Sequence, residues 1–225
     1  MQWPSGAWIA VLMGAGALAA GVYLMGLRAN RRIALRVAGE LERALKPADT
    51  SYTWIGGLIG FHARFDVPGF SRVKVTCTML PRHSIAFLPV SLLLGRGDRL
   101  HVTFYLQEGF QDESHLVSRR ALLSPLLHIR GRERMRQIHR TVNGRRFVLL
   151  STSESGLERM SAFLDRQHGG VGAGRLRHLA VVPDLHTLHV QLVPTPGVAE
   201  RTLQNLLGDP RAVTGGGVGA CSQAS

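Results

Sequence analysis

The chain has 225 residues, and its 27 basic and 15 acidic side chains give a formal net charge of +12. Hydrophobic residues make up 45% and charged residues 19% of the sequence, which excludes an intrinsically disordered chain and leaves room for one apolar segment plus one folded domain. The positive charge favours anionic partners, and the two cysteines, Cys77 and Cys221, do not indicate a disulfide framework.

A transmembrane anchor is predicted over residues 1–27. Residues 7–27 contain no charged side chain, and as a helix they would extend about 31 Å, close to the thickness of the hydrocarbon layer of a bilayer. A cleaved export signal would carry positive charge before a shorter apolar core, whereas here the arginines come directly after it. A buried core helix would show a polar face, which this stretch lacks. An uncleaved anchor is therefore the preferred interpretation.

The charges that flank the anchor predict its orientation. Arg28, Arg31, Arg32 and Arg36 follow the apolar segment, and no basic residue precedes it in the sequence. Short basic segments stay on the cytoplasmic side of a membrane. The expected location is the cell inner (plasma) membrane, with the N-terminus outside and the C-terminal domain in the cytoplasm.

The anchor carries small residues at intervals of four, three and four, namely Ala10, Gly14, Ala17 and Gly21. This spacing puts them on one face of a helix, where small side chains let two membrane helices approach closely. The stripe predicts self-association or contact with a membrane-protein partner. The alternative is that glycine and alanine are simply common in membrane helices.

The remaining chain divides into three parts. A juxtamembrane helical neck is predicted over residues 28–47, because Ile33, Val37, Leu41 and Leu45 recur every four residues before Pro47. A cytoplasmic domain is expected over 51–208, followed by a flexible tail over 209–225.

The domain is predicted to belong to the α+β class, with two layers: an antiparallel sheet and helices on one face. In its first half, one or two strands are expected within 50–67, and further strands over 72–80 and 100–107.

The second half predicts two hairpins, which turn at Asn143-Gly144 and at Pro183-Asp184. A helix is expected after each hairpin. Ser155 with Glu158 resembles a capping box for the first helix, and Pro196 suits the start of the second. Residues 135–167 and 176–207 would therefore both be β-β-α units.

A run of arginines precedes and spans the first of these hairpins. Its members are Arg119, Arg120, Arg130, Arg132, Arg134, Arg136, Arg140, Arg145 and Arg146. The even spacing over 132–140 predicts one side of an extended strand, and the run as a whole predicts a surface that binds anionic lipid. An ordinary solvated face is the alternative, and nucleic acid is a disfavoured partner because the run lacks interleaved aromatic side chains.

Residues 85–94, "IAFLPVSLLL", are too few to span a bilayer. One interpretation is a segment buried against the sheet. The other is a segment that enters the inner leaflet of the membrane, flanked by Arg82, Arg96 and Arg99.

The sequence contains few candidates for chemistry. A two-residue turn at Pro183-Asp184 would pair His178 with His189 across the second hairpin, but two imidazoles do not complete a metal site, so no metal and no cofactor are predicted. The preferred interpretation of this pair is two exposed histidines.

No motif for nucleophilic or acid–base catalysis is apparent. The sequence therefore favours a membrane-anchored accessory, assembly or scaffolding protein over an enzyme. A binding module for anionic lipid or a small anionic ligand is the alternative, and an uncharacterised enzyme is the third possibility.

Overall fold

The structure is a computed structural model that describes residues 5–107, 110, 112–122, 129, 131–167, 175–208 and 211–215. The helices within these ranges are α1 (Ser5–Leu45), α2 (Phe87–Leu93), α3 (Arg119–Leu122), α4 (Glu154–Arg166), α5 (Val198–Leu207) and α6 (Arg211–Thr214). The strands are β1 (Asp49–Ile55), β2 (Gly60–Asp66), β3 (Arg72–Thr78), β4 (Arg99–Tyr105), β5 (Ser114–Ser118), β6 (Arg136–Val142), β7 (Arg145–Ser151), β8 (Leu176–Val182) and β9 (Thr187–Leu192).

Helix α1 joins two different environments in one unbroken element of 41 residues. In its N-terminal part, only 6% of the most apolar 18-residue window is buried, so this part is not a core helix of the domain. It is the one helix in the described part of the chain that is long and apolar enough to cross a membrane. In its C-terminal part, the face that carries Val37, Leu41 and Leu45 is buried in the core. The segment predicted as a neck is therefore a helix of the domain itself.

The nine strands form a single antiparallel sheet in the order β1-β2-β3-β4-β9-β8-β5-β7-β6. Strands β1 to β4 are neighbours in the order of the sequence. Strand β9 pairs with β4 and so joins the C-terminal strands to the first four. Helices α1, α4 and α5 share the main core with one face of this sheet. The predicted α+β class, with a long apolar N-terminal helix and an antiparallel sheet, is confirmed.

Strand β5 is absent from the sequence prediction, although it lies between β8 and β7 in the sheet. All five of its residues are buried. Leu116 belongs to the main core, whereas Val117 is buried on the opposite face next to Val148, and α3, which directly follows β5, contacts β5, β7 and β8.

The two predicted hairpins differ in outcome. Asn143 and Gly144 both have positive φ angles, as the two-residue turn between β6 and β7 requires. At the second hairpin, Pro183–Leu185 instead forms a 3₁₀ turn that ends at His186 in the left-handed conformation. This longer connection changes the register, so the predicted direct pairing of His178 with His189 is wrong. His178 pairs with Gln191.

The helix starts also differ from the sequence prediction. Helix α4 begins at Glu154, and its cap is Ser153, whose hydroxyl accepts a hydrogen bond from the Gly156 amide at 3.0 Å. Ser155 lies inside the helix and is not the cap. Helix α5 begins at Val198 after Gly197, two residues beyond the predicted start. The observed order of elements in this half is β6-β7-α4 followed by β8-β9-α5.

Candidate functional site

Helix α2 leaves its apolar side chains uncovered. Phe87, Val90, Leu92 and Leu93 are all exposed, and Leu93 is exposed to 87%. Because Ile85 and Leu94 are exposed as well, the interpretation of residues 85–94 as a segment buried against the sheet is wrong. A contiguous apolar patch of this kind on a protein surface indicates an interaction site.

The segment just before α2 packs against the last turns of the apolar part of α1. The ring of His83 lies edge-on to that of Tyr23, with 5.6 Å between the ring centroids. Gly26 lies so close to the backbone of Arg82 and His83 that a Cβ atom there would overlap it. Since a helix rises about 1.5 Å per residue, Gly26 and Tyr23 are about 3 Å and 7.5 Å before Arg28 along the helix axis. The segment that leads into α2 therefore lies at the level where the apolar segment gives way to arginines.

Asn30 fixes this arrangement by a buried hydrogen-bond network. Its side-chain amide donates to the carbonyl oxygens of Leu58 at 3.0 Å and Leu80 at 2.9 Å, and its carbonyl oxygen accepts from Arg82 at 3.0 Å. Arg82 also forms a bidentate ion pair with Asp98, with contacts of 2.9 and 2.6 Å. The β1–β2 turn, the end of β3 and the turn before β4 are thereby tied to α1.

A cavity of about 800 Å³ lies between α2, the apolar end of α1 and the adjacent ends of β3 and β4. Its wall is mainly apolar and includes Ile55, Ile59, Met79 and Phe87. Polar groups on the wall include Arg96, Arg99 and His83. The Nδ1 atom of His83 is buried and has no hydrogen-bond partner among the described residues.

Further arginines lie beside this cavity, at the ends of successive strands on one side of the sheet. Arg99 is aligned with Thr78, at the end of β3 that lies next to Asn30. On the same side of the sheet, the register places the first residues of β8, the last residues of β5 and the first residues of β7. These are called the near ends of the strands. They carry Arg99, Arg177, Arg120 and Arg145, which form the arginine row. Burial lowers the pKa of Arg177, and the positive charges of the other three lower it further.

The predicted arginine run is split between two regions. Arg119 and Arg120 belong to α3, and Arg145 and Arg146 begin β7, so these four lie at the near ends. Arg136 lies at the far end of β6 and pairs with Glu154 at 3.0 Å.

The predicted strand that would carry four arginines on one side is wrong. Arg132 and Arg134 belong to a 3₁₀ turn before β6, and only Arg136 and Arg140 are in the strand, on the side of α4. Arg130 lies outside the described residues. Arg99 and Arg177 were missed because they are isolated in the sequence and only the sheet topology joins them to the others.

The two candidate metal ligands belong to a histidine cluster on the sheet face opposite the main core. The Nδ1 atom of His115 is 3.1 Å from Nε2 of His178, and the His189 ring lies near the rings of both His178 and His101. His178 and His115 are buried, so the expectation of exposed side chains is wrong for His178.

These histidines favour the neutral state. Burial lowers the pKa of His178 to about 3 and that of His189 to about 4, with a further contribution from the neighbouring imidazoles. The pKa of His115 is also lowered by burial, although Glu113 at 3.0 Å opposes this effect. In the described part of the chain, no group of three or more potential ligands has the geometry to hold a metal ion.

The small residues of the predicted helix-packing stripe lie on the uncovered part of α1. Ala10, Gly14 and Ala17 are exposed, Gly21 is partly exposed, and a Cβ atom at Gly14 or Gly21 would meet nothing within 4 Å. Within the described residues, this face is therefore available for contact with another helix.

No family model matches the chain, and no curated protein matches it. Among solved structures, it is similar to the crystal structure of the mycobacterial trehalose monomycolate transport factor A, TtfA. The similarity covers 73% of this chain and 72% of that chain, with 13% sequence identity and a TM-score of 0.34. A TM-score this low carries no argument for the function of this chain.

Proposed function

We propose that the chain is a single-pass membrane protein whose α+β domain rests on the cytoplasmic leaflet and serves as a non-catalytic accessory or assembly component of a membrane complex. The observation that carries this proposal is the uncovered apolar helix α2, held by Gly26 and Asn30 at the end of the apolar segment of α1. If α1 crosses the bilayer, α2 lies in the boundary between headgroups and acyl chains. An interfacial helix enters this layer to a depth of about 5–10 Å.

The energetics favour this placement. Full removal of a Val, Leu or Phe side chain from water contributes about 1.5–3 kcal/mol, and several such side chains of α2 are exposed in the isolated chain. A basic residue near an anionic leaflet contributes about 1 kcal/mol more. The arginine row begins at Arg99, beside the cavity next to α2, and is suited to this second contact.

The orientation rests on the arginines that follow the apolar segment. It can be tested with a single cysteine at an exposed site of the domain, Leu185→Cys, in a chain that also carries Cys221→Ser. A membrane-impermeant thiol reagent should label this cysteine in inverted vesicles and not in intact cells. A cysteine at Gln2→Cys should give the reverse pattern. Labelling of residue 185 from outside intact cells would refute the proposed orientation.

The accessory role is tested by purification of the full chain from its native membrane in a mild detergent. A stoichiometric membrane protein should co-purify, and Gly14→Leu with Gly21→Leu should reduce its recovery because leucines would keep the helices apart. Gly16→Leu is the matched control, since it adds the same side chain on a different face of α1. Absence of any partner, with or without chemical cross-linking, would contradict the accessory role.

A further inference from the structure

We propose that the cavity beside α2 binds one acyl chain of an anionic phospholipid drawn from the cytoplasmic leaflet. This inference rests on the proposed position of the domain on that leaflet. It goes beyond surface attachment because it assigns a defined lipid site between α2, α1 and the sheet.

The size and the wall of the cavity suit an acyl chain. Its volume of about 800 Å³ is in the range of sites that enclose a small ligand. Ile55, Ile59, Met79, Leu80 and Phe87 contribute apolar surface to the wall. Burial of an acyl chain against such a wall removes hydrocarbon from water and is therefore favourable, whereas a free inorganic anion would be stabilised little by it.

The polar groups of the cavity suit a phosphate. Arg96 and Arg99 lie on the wall, and no described carboxylate pairs with either of them. Arg82 differs from them because Asp98 already occupies its guanidinium group. A guanidinium group binds phosphate through two parallel hydrogen bonds, so Arg96 and Arg99 are suited to a phosphate headgroup at this site.

The position of the cavity explains how a lipid would reach it. Tyr23, which belongs to the apolar segment of α1, forms part of the wall, and so do Phe87 and Ser91 of α2. A lipid chain could therefore move from the leaflet into the cavity along apolar side chains without crossing water. This continuity favours a membrane lipid over a soluble ligand as the occupant.

The test uses the full chain reconstituted in nanodiscs of phosphatidylcholine with phosphatidylglycerol, then transferred to detergent and examined by native mass spectrometry. The wild-type chain should retain one phospholipid, with phosphatidylglycerol enriched at least about threefold over its share of the bilayer. Gly97→Phe should lose the retained lipid, because Gly97 lines the cavity and a side chain there meets open space. A wild-type chain without bound lipid, or a Gly97→Phe variant that retains it as the wild type does, would overturn the proposal.

The headgroup contact is tested separately. Arg96→Gln with Arg99→Gln should retain lipid but lose the preference for phosphatidylglycerol. Arg132→Gln with Arg134→Gln is the matched control, because it removes the same charge from the exposed 3₁₀ turn before β6. Equal effects of the two double variants would show that general charge, and not the cavity, sets the preference, which would overturn this assignment. Soluble glycerol phosphate should not displace the lipid, and displacement would contradict the acyl-chain site.

A cross-linking measurement does not depend on variants that must fold. Phosphatidylglycerol with a photoreactive group at the end of one acyl chain should label the peptides that contain Ile59 and Met79. Labelling confined to residues 92–94 would mean that lipid touches only the outside of α2, and would overturn the cavity assignment. If a probe at Leu93 enters the bilayer while no lipid is retained, the inference fails and the proposed function stands. If that probe remains in water, the proposed function fails.

Discussion

The attachment of the domain to the apolar segment depends on Asn30, and its replacement by alanine gives the sharpest test of this attachment. Asn30 is fully buried, and its side chain satisfies the carbonyl oxygens of Leu58 and Leu80 while it accepts a hydrogen bond from Arg82. Each of these hydrogen bonds contributes about 1 kcal/mol net, and alanine would leave its partners unsatisfied. We therefore expect Asn30→Ala to lower the free energy of unfolding by about 3 kcal/mol.

The measurement is thermal unfolding of the full chain in one detergent, followed by near-ultraviolet circular dichroism. For a domain of this size, 3 kcal/mol corresponds to a decrease in Tm of about 6–12 °C. Asn205→Ala is the control, because Asn205 is also helical but is exposed on α5, and its change should be below about 0.5 kcal/mol. A Tm for Asn30→Ala within about 2 °C of that of Asn205→Ala would refute the inferred role of the network.

Three further predictions concern other sites. Gly26→Ala should destabilise the fold by about 1–3 kcal/mol in the same thermal unfolding assay, because the added Cβ atom would overlap the segment before α2. Gly16→Ala is the control and should be neutral, because a Cβ atom there meets nothing within 4 Å. Between the unfolded pKa near 6.5 and the folded pKa of about 3, the unfolded chain binds more protons at His178 than the folded chain does. The free energy of unfolding, measured by denaturant titration, should thus fall as the pH drops through this window. His178→Gln should lessen this fall, whereas His186→Asn, in an exposed turn, should leave it unchanged. An equal fall for the wild type and both variants would contradict the assignment. Burial raises the pKa of the Cys77 thiol to about 12, so an alkylating reagent at pH 7.5 should modify Cys77 only after unfolding. Modification is detected by mass spectrometry. Rapid modification of the native chain would show that Cys77 is accessible to solvent, which would contradict its burial in β3.

The sequence predicts the elements whose signals are local. The 3.6-residue spacing of Val37, Leu41 and Leu45 indicates the buried face of α1, and Asn143-Gly144 is sufficient for the turn between β6 and β7. Strand β5 was missed because its five residues are buried on both faces and show no alternation. The predicted register of β8 and β9 was wrong because the sequence pattern does not reveal that a 3₁₀ turn lengthens the connection between them.

The candidate site was less predictable for a different reason. The composition of residues 85–94 is the same whether they lie in a protein core or on a membrane surface, and only the exposure of their side chains in the structure excludes the core. Arg99 and Arg177 lie at the same ends of the sheet strands because β9 joins β4 to β8, which are distant in the sequence. Short-range patterns cannot reveal such a juxtaposition.

The depth of α2 in the bilayer tests the central claim most directly. A nitroxide spin label attached at Leu93→Cys, in the full chain with Cys221→Ser reconstituted in anionic liposomes, reports its surroundings through its accessibility to oxygen and to a water-soluble nickel complex. The matched control is the same label at Leu185→Cys, another exposed leucine, which follows β8 at the opposite strand ends. The account predicts that the label at residue 93 collides with oxygen and is shielded from nickel, whereas the label at 185 is open to nickel. Equal nickel accessibility at the two positions would contradict the account.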